Sequence, residues 1–146
     1  MWGFLIAMIS GALMSVQGVF NTGVTKESGT WLTNSFVQMT GLIVCLILYC
    51  TMEADKVPVG SLFKIDRKYM LLGGVIGAFI TFTVIKSMSM LGPAKAVLAI
   101  VITQVFVAYI IELLGLFGVE KVPFSWNKVI GILVSVIGLF VFKWEV

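Results

Sequence analysis

The stretch AVLAIVITQVFVAYIIELLGLF, residues 96–117, contains a single charge, Glu112. A helix rises about 1.5 Å per residue, so a bilayer core about 30 Å thick needs roughly 20 predominantly apolar residues to be crossed. This run meets that length, and the same reading applies on either side of it. Residues 2–22, 31–52 and 69–91 qualify on the amino-terminal side. Residues 127–144 qualify on the other, the shortest of the five and the one with the cleanest apolar run, VIGILVSVIGLFVF. Between the runs lie GVTKESGT, the longer polar EADKVPVGSLFKIDRK, the tight GPAK and GVEKVPFSW. Pro58, Pro93 and Pro123 all fall in these links. That distribution fits the boundaries, because proline removes a helical donor and clashes with the preceding turn.

Composition agrees with the local reading. Of 146 residues, 60% are hydrophobic and 12% charged, with a mean hydropathy of +1.10, whereas a soluble domain is about a quarter charged. The expected fold is an all-α integral membrane protein, a single domain over residues 1–146 with five transmembrane helices. The first segment lacks a basic leading region and a small-residue cleavage pattern, so it reads as a span rather than a signal peptide. Cys45 and Cys50 lie within the second span and read as small hydrophobes. The chain has no histidine, which removes the usual general base and the commonest zinc ligand. No GxSxG, HExxH or phosphate-cradling loop is present. An enzyme, a metal site, a cofactor and a nucleic-acid partner are therefore not expected.

Five spans put the termini on opposite faces. The face shared by the amino terminus and the second and fourth links holds Lys56, Lys64, Arg67, Lys68, Lys121 and Lys128, against Lys26, Lys95 and Lys143 on the other. The positive-inside rule then places the amino terminus in the cytoplasm. An odd span number also suits half of a pseudo-symmetric carrier, whose substrate site lies between inverted repeats. No internal repeat is evident, so the other half would be a second chain, an inverted copy or a paralogue.

Small residues mark faces where helices approach closely. Gly3, Ala7, Gly11 and Ser15 recur every four residues in the first span; Gly73 and Gly77 form a GxxxG in the third; Gly131 and Gly138 lie seven apart in the fifth. At roughly 100° per residue, Gln17 and Asn21 share an arc beside the first ladder, and Asn34 and Gln38 share one in the second helix. Counted inward from the face opposite the amino terminus, Gln17, Gln38, Lys86 and Gln104 all lie within roughly 8–12 Å of it. One amide alone reads as interhelical glue. Three amides and Lys86 at one depth read as a polar chamber. Lys86 and Glu112 are the ionisable residues within spans, each close enough to an interface to snorkel and each a candidate for coupling or ion pairing.

The series SVQGVFNTGV, LGGVIGAF, LGPAKAVLAIVITQVFVAYIIELLGLFG and KVIGILVSVIGLFV resembles the YdcZ-like branch of the drug/metabolite transporter superfamily over nearly the whole chain. The Q-x3-N of the first helix, the LGPAKA turn, Gln104 and an acid eight residues later carry most of the likeness. The resemblance implies a five-helix half of a ten-helix, EamA-like carrier in the bacterial cytoplasmic membrane, working as a dimer of halves. It also implies polar roles for Gln17, Asn21, Gln104 and Glu112. Glu112 stands where an aspartate is expected, and the essential first-helix glutamate of the related small multidrug resistance proteins is absent. The expected function is alternating-access export of a small polar or amphipathic solute, with Gln17, Asn21, Asn34, Gln38 and Gln104 lining the pathway. A non-transporting scaffold subunit is the alternative.

Overall fold

The computed structural model describes residues 1–143, and they form helices joined by short connections. Five α-helices follow one another: α1 (Trp2–Ser28), α2 (Thr30–Met52), α3 (Gly73–Leu91), α4 (Pro93–Leu114) and α5 (Trp126–Lys143). Two 3-10 helices, Val59–Lys64 and Lys68–Leu72, precede α3, and a third, Leu116–Gly118, follows α4. Residue 144 of the expected last span lies outside the described residues. Four helical stretches are long and apolar enough to cross a membrane: Trp2–Ser28, Thr30–Met52, Lys68–Leu91 and Pro93–Leu114; Trp126–Phe142 is a shorter apolar helix. Each of the four leaves nearly all of its most apolar window uncovered by the rest of the chain. Water would penalise such apolar surface at about 25 cal/mol per Å². The chain is therefore a multi-pass integral membrane protein.

It divides into two compact units, residues 1–86 and 87–146. In the first, α1 does not stop where its hydropathy falls. It runs on through Lys26 and Glu27 to Ser28, so the expected eight-residue link shrinks to Gly29. The Gly29 N–H closes α1 on the Thr25 carbonyl (3.0 Å), and its own carbonyl accepts the Thr33 N–H to open α2 (3.1 Å). This double duty needs φ 79°, ψ 158°, a region open essentially only to glycine. Burial in α1 and α2 is confined to Gly18, Asn21, Thr33 and Asn34, near that turn. Residues 1–14 are exposed throughout.

The second unit starts with the same device. Gly92 has φ 79°, ψ 159°; its N–H meets the Met88 carbonyl, and its carbonyl takes the Ala96 N–H at 3.1 Å. Pro93 occupies the first helical position rather than a link, where a missing N–H costs nothing and φ is already set. At the other end α4 stops at Leu114 because Gly115 turns left-handed at φ 64° and donates to the Ile111 carbonyl. The fourth span thus runs 93–114 instead of 96–117.

Candidate substrate pathway

Most hydroxyls in the spans satisfy themselves. Thr22, Thr25, Thr40, Thr51, Thr81, Thr83, Thr103 and Ser135 each donate to the carbonyl four residues earlier on their own helix. This internal bond lets a polar group sit in hydrocarbon without a partner helix. The longer amides of α2 reach across to α3 instead.

Trp31, Asn34 and Gln38 recur at helical spacing and face α3 as an antiparallel seam. Trp31 stacks on Phe82, with ring centroids 4.8 Å apart and planes 11° from parallel. One turn on, Asn34 Nδ2 donates to the Ala78 carbonyl at 2.8 Å. Gln38 Nε2 reaches Thr81 Oγ1 at 3.4 Å, while that hydroxyl donates to the Gly77 carbonyl. Among the described residues, Gly77 is the one ladder glycine with a neighbour: a Cβ there would lie 4.0 Å from Gln38 Nε2. Asn34 is 2% exposed, and its Oδ1 is a buried acceptor with no hydrogen-bond partner among the described residues. Because a carbonyl can only accept, the 2.8 Å contact fixes the amide with nitrogen toward Ala78 and oxygen away from it.

On α1, Asn21 is buried and Gln17 is exposed. The covered side of α1 runs through Gly18 and Asn21, one residue round from the arc centred on Gln17. Gln38 is exposed apart from its bond to Thr81, and Lys86 is exposed on α3. Gln104 belongs to the second unit and is exposed on α4. The first unit therefore brings Asn34 and Gln38 together on α3, where Thr81, which the sequence reading did not single out, joins them. An i, i+4 arc cannot name the residue on the facing helix.

In the second unit Glu112 is held at the α4–α5 junction. Its Oε2 accepts from Lys128 Nζ at 2.8 Å, both side chains being about 40% exposed. The same ammonium lies 5.0 Å from the ring centre of Tyr109. Tyr109, 7% exposed, takes the Ser125 N–H at 2.8 Å and gives its own proton to the Ser125 carbonyl. The Val122 N–H closes on the Glu112 carbonyl. Lys128, Tyr109 and Ser125 were not expected here. The signal was present, since Glu112 lies near the end of α4 and Lys128 near the start of α5, and a hairpin returns them to the same level. Below this junction an apolar cavity of about 270 Å³ is lined by Phe106, Tyr109, Leu113, Phe124 and Leu133 among others.

The whole seam sits within a recognised sequence pattern. The family described as "Putative inner membrane exporter, YdcZ" (DMT_YdcZ) matches residues 2–141. The chain belongs to the YdcZ family of the drug/metabolite transporter superfamily. Among curated proteins and among solved structures, nothing matches it. Membership of an exporter family makes the chain a transport protein and not an enzyme. Among the described residues no His, Cys, Asp or Glu cluster could hold a metal ion.

Proposed function

We propose that this YdcZ-family chain is one five-helix half of an exporter, moving a small polar or amphipathic solute across the bacterial cytoplasmic membrane by alternating access. In this reading α5, whose 18 residues extend roughly 27 Å, is the fifth span. The halves are supplied by an inverted second copy or a paralogue, and the amino terminus is cytoplasmic. The observation that supports it best is the polar α2–α3 seam of an exporter-family chain, with Asn34 buried between apolar helices. Asn34 and Gln38 form one wall of the pathway, and Gln17, Asn21 and Gln104 contribute neutral hydrogen bonds to it. Gly3, Ala7, Gly11, Ser15, Gly73, Gly77, Gly131 and Gly138 serve helix approach, within the chain or between chains.

Glu112 is the carboxylate available for coupling, and Lys86 the second charge within a span. A carboxylate couples two fluxes only if its proton affinity differs between inward-open and outward-open states. The 2.8 Å contact with Lys128 supports a purely ion-pairing role for Glu112.

Reconstituted into proteoliposomes, the chain is expected to accelerate flux of small amphipathic solutes, and Gln17→Leu with Gln104→Leu to reduce that flux at least about tenfold, the loss expected when a site's hydrogen-bonding groups are removed. Unchanged flux in the double variant removes both amides from the pathway. No flux with any solute, while an associated complex still requires the chain, identifies a scaffold instead.

A further inference from the structure

The orphaned oxygen of Asn34 has chemistry of its own. Thr81, the α3 hydroxyl that this seam engages through Gln38, spends its proton on Gly77, and the Asn34 nitrogen is committed to Ala78. What remains is a neutral acceptor with two lone pairs, fixed in direction and closed off at 2% exposure. Leaving such a group unpaired away from water is unfavourable, and more so within hydrocarbon. A threonine at this position could have satisfied itself on its own helix, as most span hydroxyls do; the Asn34 nitrogen reaches across to Ala78 instead, and its oxygen is left without a partner among the described residues.

We propose that Asn34 Oδ1 is the acceptor for an N–H or O–H donor on the transported solute, exposed when α2 and α3 part at the Trp31–Phe82 stack and the Asn34–Ala78 bond. This rests on the carrier reading above and narrows its cargo to solutes with a donor group. The unpaired acceptor disfavours the closed seam when empty, and the cargo's donor compensates when the seam opens. Recognition at this atom requires a donor and gains nothing from a methyl-capped analogue of equal charge.

The test uses two probe pairs of matched charge in which the second member has its donors replaced by methyl groups: phenethylammonium against its N,N,N-trimethyl form, and benzamide against N,N-dimethylbenzamide. Protection of the full chain in lipid nanodiscs against thermal unfolding is titrated with each probe. For at least one pair the donor-bearing member is expected to act at about tenfold lower concentration, the scale of one good hydrogen bond, and Asn34→Leu to abolish the difference. Equal behaviour of both members in both pairs with the unaltered chain overturns the proposal and leaves Asn34 a structural amide. A preference that survives Asn34→Leu overturns it as well. Should the leucine variant fail to fold, Asn34→Ser, whose hydroxyl can bond to its own helix, takes its place with the same expected loss. Flux of the same probes in proteoliposomes separates the two claims. Flux without donor preference ends this inference and keeps the carrier; absence of flux with these probes and with every other small solute ends the carrier reading itself.

Discussion

At the junction of α4 and α5, two interactions compete to be the one that matters. The Glu112–Lys128 contact is the shorter-range attraction of opposite charges, yet both side chains are about 40% exposed, and solvent-exposed pairs contribute about 0–1 kcal/mol. Tyr109 is buried, and its hydroxyl satisfies both backbone groups of Ser125. Removing it leaves the half-buried Ser125 N–H unpaired, while the Ser125 carbonyl keeps the Val129 N–H at 3.4 Å, at a cost of about 1–3 kcal/mol. Tyr109→Phe is therefore expected to lower thermal stability in detergent more than Glu112→Gln or Lys128→Met, followed by circular dichroism. The reverse order would make the ion pair the main fastening. Glu112 was legible in the sequence as a lone carboxylate in oil. Its partner had only a topological signal, Lys128 opening the next helix at the same level, because a 16-residue separation fixes no contact until the intervening turn is known.

Helix ends were the least legible elements, for a physical reason. Hydropathy reports where lipid gives way to water, whereas a helix ends where the backbone changes direction. Lys26 and Glu27 mark the first boundary and Gly29 the second, so an eight-residue link was expected where one glycine suffices. Helix number, order and approximate position were legible because bilayer thickness imposes them. The strained turns make a prediction with opposite signs. A Cβ at Gly29 or Gly92 would meet nothing within 4 Å, so any cost of Gly29→Ala or Gly92→Ala comes from the backbone alone, about 1–3 kcal/mol each. Gly23, within α1, also faces open space, and there alanine is expected to stabilise by about 0.5–1 kcal/mol through helix propensity. Unfolding of the three variants in one detergent checks both signs; a neutral Gly29→Ala would mean the turn relaxes to an ordinary conformation.

For the molecule as a whole, the question is what covers the faces the chain leaves bare. Residues 1–14 of α1 are exposed, and Cβ atoms added at Gly3 and Gly11 would meet nothing within 4 Å. Lipid could cover an apolar helix of any shape, so it gives no reason for a small residue at every fourth position. A second helix does, because close approach lets backbones gain van der Waals contact that lipid does not supply. Those faces were legible as spacing but their neighbours were not: among the described residues, Gly77 alone of the ladder glycines has a neighbour within 4 Å of a Cβ. Pairing of two halves through α1 predicts that Gly3→Ile together with Gly11→Ile, which meets no obstacle inside one chain, leaves the monomer folded and abolishes the dimer. Single-molecule photobleaching of labelled protein in liposomes reads this directly, with two-step traces expected for the unaltered chain and one-step traces for the variant. Two-step traces in both would move the contact away from this ladder. Protease accessibility of tags at residue 1 in the same liposomes then assigns the partner: tags on both faces fit an inverted copy, and tags on one face require a different inverted partner or no inverted symmetry at all.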